Sequence, residues 1–284
     1  MRFSIITPSF RNSEWLKLCI SSVADQQVEL EHIVQDAVSD DGTLDWLPAD
    51  TRVKAFIEKD RGMYDAVNRG LRKAKGEILA YINCDEQYLP GALQAVDRFF
   101  EANPEVEICF ADAIVVDRAG EFICFRKVHL PYEYQTILTA LCTLTCSTFF
   151  RRSVLDRHQN FFPDEFREQG DAAWVVNAIR KGISMKVFRR YTSIFTETGH
   201  NIGLMPNSVR EREMFRALAP AWARKAQFLI YKSYQVRRFL QGGLFQKPFD
   251  YSIYTKTSPE QRQTFHVAKP TPFWNRQFIT APQA

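Results

Sequence analysis

Two rhythms of apolar and polar positions alternate over the first 115 or so residues. The run FSIITP at 3–8 is short, β-branched and stopped by Pro8, as a strand is, and Asn12 and Ser13 then offer an N-cap to a segment with Trp15, Leu18, Cys19 and Val23 at helical spacing. The alternation repeats. EHIVQD at 31–36 reads as a strand, TLDWL at 43–47 as a short helix, RVKAFIE at 52–58 as a strand, and MYDAVNRGLRKA at 63–74 as a helix with Met63, Val67, Leu71 and Ala74 on one face. EILAYI at 77–82 is the next strand, LPGALQAVDRFF at 89–100 a helix beginning near Pro90, and VEICF at 106–110 a further strand. Strands alternating with helices predict βαβ units, right-handed connections and an α/β fold around a mostly parallel sheet with flanking helices.

After Asp117 the rhythm changes. FICFRK, a long stretch to STFF, helices near 153–157 and 171–181, and a strand from about Ile183 to Phe188 read as a second half of the same domain. The division is then 1–220 for a catalytic-type domain, split into 1–117 and 118–220, and 221–284 for a basic helix and an extended C-terminal tail. Residues 221–240 predict that helix, with Phe228, Tyr231 and Phe239 among Arg224, Lys225, Lys232, Arg237 and Arg238. Beyond Gly242 and Gly243 periodicity fades, and Pro248, Pro259, Pro270 and Pro272 predict extended chain.

Composition narrows the picture. The 284 residues are 45% hydrophobic and 25% charged, enough apolar material for one large core. No run approaches the roughly 18 apolar residues that cross a bilayer, and the strand pattern starts at once, so a cytoplasmic protein is expected. The six cysteines are scattered with no CxxC pair, which excludes a disulfide framework or a structural zinc site and predicts reduced thiols. Net charge is +4, but from Pro220 onward ten Lys or Arg stand against two acidic residues, +8, leaving −4 for residues 1–219. Such a basic segment is either a solvated surface or a site for an anionic partner, with peripheral attachment to an anionic inner membrane surface as the expectation tested below.

In an open α/β sheet, ligands bind beyond the carboxyl ends of the strands. Polar clusters stand there after four successive strands: Pro8-Ser9-Phe10-Arg11-Asn12; Asp36 with Ser39-Asp40-Asp41-Gly42-Thr43; Glu58-Lys59-Asp60-Arg61-Gly62; and Asn83-Cys84-Asp85-Glu86. Singly each reads as a turn; four at one edge read as a site. Asp85 follows the buried-looking ILAYI, where a carboxylate is costly unless solvated, paired or bound to a metal, and hard divalent cations use one or two such carboxylates together with substrate phosphates. A second acidic group, Glu165, Glu168 and Asp171, stands at the start of the AAWVVNAIRKG helix, as a base or as first-turn acids. Trp174, one turn along, is a core aromatic or the floor of a sugar site.

SIITPSFRN, DAVSDDGT, EKDRGMYDAVNRGLRKAKGEILAYINCDEQYLPGAL, STFFRRSVLD and GDAAWVVNAIRKG, in that order and spacing, resemble family 2 glycosyltransferases of the bacterial capsule, exopolysaccharide and lipopolysaccharide type. The resemblance covers about 3–190. It implies a GT-A, Rossmann-like fold and inverting transfer of a sugar from a nucleotide-sugar, commonly a UDP-sugar, to a saccharide or lipid-linked acceptor, with no nucleic-acid partner. By the same resemblance Pro8 and Ser9 contact the nucleotide, Asp36 holds the base, Asp60 and Arg61 contact base or ribose, and Asn83-Cys84-Asp85 stands for the DxD motif, whose last acid binds Mn²⁺ or Mg²⁺. Asp171 matches the catalytic aspartate, and His200 falls where a loop closes over the donor. Arg151 and Arg152 are candidates for the diphosphate or acceptor. Two departures stand out: Asn83 replaces the first acid of DxD, and Asp36-Ala37-Val38-Ser39 replaces DGGS. Nucleotidyl transfer is the rival chemistry, but PSFRNS lacks the glycine-rich phosphate loop it needs; a degenerate binding module is the rival without chemistry.

Overall fold

Along each central strand, odd and even side chains are apolar and go to opposite sides. Phe3 and Ile5, Ile78 and Ala80, and Cys109 and Ala111 join one core cluster, whereas Ile6, Leu79 with Tyr81, and Ile108 with Phe110 join another. A sheet apolar on both faces is stable only when both are covered. The computed structural model, which describes residues 1–199 and 206–274, shows how.

In chain order the elements are β1 (Phe3–Ser9), α1 (Ser13–Ala24), β2 (Leu30–Asp36), α2 (Thr43–Trp46), β3 (Lys54–Ile57), α3 (Met63–Lys73), β4 (Ile78–Tyr81), β5 (Gln87–Tyr88), α4 (Ala92–Ala102), β6 (Ile108–Val116), β7 (Phe122–Arg126), α5 (Glu133–Leu138), β8 (Thr148–Arg151), α6 (Ser153–Asp156), α7 (Gly170–Arg180), β9 (Met185–Thr196), α8 (Pro206–Ala217), α9 (Ala221–Lys225), α10 (Gln227–Leu240), β10 (Phe249–Thr255) and β11 (Ser258–Val267). Nine strands form one sheet in the order β3-β2-β1-β4-β8-β6-β9-β5, with β7 on β6. The β3-β2-β1-β4 half is parallel, β8 is antiparallel to both β4 and β6, and β9 returns parallel to β6. Helices α1 and α4 cover one face and α3, α6 and α7 the other.

The expected α/β architecture is thus present, with differences in its second half. Strand β9 runs on to Thr196, past the anticipated end at Phe188, because its register shifts twice against β6 and pairing then resumes. The predicted 221–240 helix is divided at Ala226 into α9 and α10. The segment beyond Gly243 is extended, as its prolines suggest, but pairs with itself as the β10-β11 hairpin. Its Tyr251, Ile253, Phe265 and Val267 pack on Leu89, Ile114, Val116 and Ile194, and Arg262 clamps Asp25, which caps the end of α1, at 2.6 and 2.8 Å. All six cysteines are buried. Among the described residues, no helix is long and apolar enough to cross a membrane.

Parallel pairing aligns the strand ends: Ser9 lies opposite Asp36, Asp36 opposite Ile57, and Ile6 opposite Tyr81. All four polar loops therefore leave from one edge.

Candidate active site

The loops after β1 and β2 brace each other. Ser39 donates from its backbone N–H and its hydroxyl to the two Asp36 carboxylate oxygens, both at 2.8 Å, and its hydroxyl accepts from the Arg11 N–H at 2.9 Å. Asp41 accepts from the Ser13 N–H at 2.9 Å. Asp36 is fully buried by this arrangement, so its side chain shapes the loop and does not face the cleft; the neighbouring Ala37 does. Val38 sits at φ +64, a conformation that β-branched residues rarely adopt. This is the position where the resemblance expects glycine.

A cleft of about 760 Å³ opens at this edge, within the range of small-ligand sites. One wall is Pro8, Ser9, Ala37, Lys59 and Asp60, from the ends of β1, β2 and β3; the Ser9 hydroxyl is buried and has no partner among the described residues. Asn83 and Asp85 lie at the end of β4, and Asp171, Glu168 and Arg167 come from the start of α7. Asp60 accepts the Gly62 N–H at 2.9 Å, and burial raises its carboxyl above the usual range. At φ +134, Gly62 makes the turn that starts α3.

Asp85 is half-buried and forms no ion pair among the described residues, and burial raises its carboxyl. Glu86, 1% exposed, accepts the Asn83 N–H at 2.8 Å; burial and then the Asp85 charge push its carboxyl up. Two adjacent carboxyls without a basic partner make a site that favours a cation. No group of three His, Cys, Asp or Glu among the described residues holds a metal by itself, so phosphate oxygens and water would complete any coordination shell.

Asp171 is the second residue of α7. Burial pushes its carboxyl up to about 6, while the Ala172 N–H at 2.7 Å, its own N–H and the Tyr64 hydroxyl oppose that shift. Its backbone N–H donates to the Tyr64 hydroxyl oxygen at 3.1 Å. Gly170 permits this approach, since a Cβ there would lie 2.5 Å from the Tyr64 ring. The preceding loop is held from α8: Glu211 accepts the N–H groups of Arg167, Glu168 and Gln169 at 2.8, 2.8 and 3.1 Å.

Several expected site residues lie elsewhere. Trp174 is 1% exposed, stacks on Phe162 at 5.0 Å and donates its indole N–H to the Asn160 carbonyl at 2.8 Å; it is a core aromatic, closed to a sugar. Arg151 pairs in register with Ile78, the first residue of β4, and therefore lies at the opposite edge, where it donates to the carbonyls of Val106 and Phe100 at 2.8 and 2.7 Å. Arg152 caps the Gly76 carbonyl at 2.9 Å. Arg61 projects toward solvent, paired with Asp65 and Asp164, while its neighbours Asp60 and Gly62 line the cleft. Glu165 is exposed outside the cleft. His200 lies outside the described residues. The sequence reading missed Tyr64, Glu211 and Trp274. Only Tyr64 carried a signal, inside DRGMYDAVNRG; Glu211 sits on a helix of weak amphipathicity, and Trp274 follows the proline-rich tail.

The fold has counterparts among glycosyltransferases. The S. aureus TarS structure in complex with UDP-GlcNAc superposes with a TM-score of 0.61 at 17% identity, over 84% of this chain and 73% of that one. The Pyrobaculum calidifontis mannosyltransferase PcManGT, in complex with GDP-Man and Mn2+, gives 0.50 at 18% identity over 85% and 79%. The model of glycosyl transferase family 2 matches residues 4–158, more than half of the chain, and the protein belongs to that family. It is similar to a PGL/p-HBAD biosynthesis glycosyltransferase of Mycobacterium bovis, 25% identical over 76% of this chain and 83% of the relative. It also resembles a GalNAc(5)-diNAcBac-PP-undecaprenol beta-1,3-glucosyltransferase of Campylobacter jejuni, 26% identical over 74% and 70%.

Removing the acceptor that gathers three N–H groups leaves those donors buried or forces the loop to rearrange. Glu211→Ala is expected to lower stability by about 1–3 kcal/mol in urea unfolding and to reduce sugar transfer more than nucleotide binding. Equal transfer in the variant would show that the loop before Asp171 holds its geometry without α8.

Proposed function

We propose that the protein moves a sugar from a nucleotide-sugar, a UDP-sugar, to a hydroxyl of a saccharide or lipid-linked acceptor in bacterial surface polysaccharide synthesis, inverting the anomeric carbon. The observation that carries this reading is the pair Asp85 and Asp171: two carboxylates from separate elements lining one cleft, each with its proton affinity raised by burial. The UDP-GlcNAc complex of TarS and the undecaprenol-linked name of the Campylobacter relative support the donor and acceptor classes.

On this reading the donor's nucleoside lies against Pro8, Ser9, Ala37 and Asp60, with Lys59 and Arg167 adding positive charge near the diphosphate. Asp36 acts through the loop it closes and does not touch the base. Asp85, assisted by Asn83, would hold Mn²⁺ or Mg²⁺, which neutralises charge on the departing diphosphate. Asp171 accepts the proton of the acceptor hydroxyl as that oxygen bonds to the anomeric carbon. The bond from that carbon to the diphosphate oxygen breaks on the opposite face, its electron pair leaves with the nucleoside diphosphate, and the configuration inverts. Retention of both carboxylates in one cleft favours a working enzyme over a degenerate binding module.

The C-terminal helices add a location. No residue of α10 is buried, and Phe228, Leu229, Val236, Phe239 and Leu240 are 54–75% exposed. At 3.6 residues per turn they fall within about a third of the helix circumference. Phe228, Tyr231 and Phe239 therefore stand exposed, whereas Tyr234 packs at a steep angle against His129. Of the five cations in this region, Arg237 donates inward to the Leu130 carbonyl at 2.9 Å and Arg238 to Pro272 at 3.2 Å, whereas Arg224, Lys225 and Lys232 are exposed. An apolar stripe that carries Lys232 within it, next to the exposed Arg224 and Lys225 of α9, suits an anionic leaflet, where each Lys or Arg adds about 1 kcal/mol of attraction. The enzyme would act peripherally at the cytoplasmic face of the inner membrane.

Four measurements test these statements. Calorimetric titration of UDP should give an affinity that falls on the order of tenfold or more without Mn²⁺ or in Asp85→Ala; equal affinity throughout removes the metal role. With Asp171 as base, only its deprotonated form works, so transfer should rise with pH through about 6 and then level off. Asp171→Asn should keep UDP affinity and lower turnover by a factor on the order of 10² or more. Undiminished turnover would move the base to Glu168. Finally, wild type should sediment with anionic vesicles at low salt and be released by high salt, and Phe228→Glu with Leu240→Glu should abolish sedimentation. Wild type remaining in the supernatant would make α10 an ordinary surface helix.

A further inference from the structure

After β11 the chain returns across the sheet edge and adds a wall to the cleft that lies outside the matched family region, residues 4–158. The Phe125 N–H donates to the Thr271 carbonyl at 3.0 Å, which lays this segment beside β7, and Arg238 holds the next carbonyl, that of Pro272, at 3.2 Å. Two residues further on, the Trp274 indole donates its N–H to a Glu197 carboxylate oxygen at 2.6 Å. The ring meets Phe195 at an interplanar angle of 72° with 5.2 Å between centroids, and the Arg126 guanidinium stands over it at 5.7 Å. Trp274 is only partly buried, and it lines the same cleft as Asp85 and Asp171.

We propose that Trp274 is the platform on which the acceptor sugar stacks, an inference that rests on the transfer reading above. A pyranose ring carries hydroxyls around its rim and a C–H face that is poorly hydrated, and a partly exposed indole gains by covering that face. The indole is oriented before any ligand arrives, because its polar N–H is already satisfied by Glu197 and its ring is packed on Phe195; no ordering of the ring has to accompany binding.

The position decides which sugar. The nucleotide wall comes from β1, β2 and β3, on one side of β4 in the strand order, whereas Phe195, Thr198 and Trp274 gather at the end of β9, on the other side. Asp85 stands between them at the end of β4. A hydroxyl that approaches the anomeric carbon from the face opposite the diphosphate comes from the side away from the nucleotide, and that is the side where the indole stands.

The test separates acceptor from donor. Wild type, Trp274→Ala and Trp274→Phe are compared for UDP affinity with Mn²⁺ by calorimetry, for melting temperature, and for KM toward para-nitrophenyl glycosides of glucose, galactose, N-acetylglucosamine and N-acetylgalactosamine as acceptor probes. Trp274→Ala is expected to raise acceptor KM on the order of tenfold, to leave UDP affinity and melting temperature at wild-type values, and to be largely rescued in Trp274→Phe, which keeps a stacking face. An unchanged KM in Trp274→Ala, a parallel loss of UDP affinity, or no use of any of these glycosides by a wild type that binds UDP overturns the proposal. Failure of wild type to bind UDP strikes the transfer reading itself and is distinguished by the same titration.

Discussion

Everything in this molecule follows from a sheet that is buried on both faces. With α1 and α4 covering one side of the central strands and α3, α6 and α7 the other, the β1, β2 and β4 strands are open to a ligand mainly at their ends. Parallel pairing of β1, β2, β3 and β4 sends the four polar loops out at one of those ends. The same burial sets the chemistry. Carboxylates mounted at the rim of an apolar core pay for lost hydration, and where no cation of the protein compensates, as at Asp85, they hold protons more tightly and attract external positive charge. Asp171 gains the same property at the start of α7, where the helix terminus lowers the cost and burial still prevails.

The donor half was legible because its information is local. Each strand ends in a few polar residues, and the alternation of two periods tells where each end falls; the sequence alone therefore puts Pro8, Ser9, Asp60, Asn83 and Asp85 at one edge. Legibility failed where a side chain's direction depends on a distant partner. Asp36 was placed in the right loop, but its carboxylate is consumed by Ser39, a contact that no periodicity encodes. Arg151 was judged from its neighbours STFF; only the antiparallel pairing of β8 with β4 reveals that it sits at the far edge. Trp174 has helical spacing compatible with either face of α7, and the Phe162 ring that claims it arrives from outside that helix. The β10-β11 hairpin was hidden by its composition, since its apolar residues alternate within a stretch punctuated by prolines and charges.

This contrast between local and distant information divides the cleft into two parts with different physical character. The wall of Pro8, Ser9, Ala37, Lys59 and Asp60 is made of short loops that each leave a parallel strand and enter a helix, and the first two are tied to each other through Ser39 and Asp41. The other wall is assembled from three separated pieces: the 167–171 loop, the end of β9 and the segment that carries Trp274. Each piece is held by a few polar contacts, Glu211 for the first and Glu197 with Thr271 for the last. Segments held in this way open at lower free energy than core strands. Such a division suits an enzyme that must grip one small, chemically constant donor and admit a larger, more variable acceptor. A change confined to the C-terminal segment alters the second wall alone, because nothing in the β1–β4 edge depends on it for its own pairing. On the proposed reading, acceptor choice could therefore be adjusted at the end of the chain without disturbing Asp85 and Asp171.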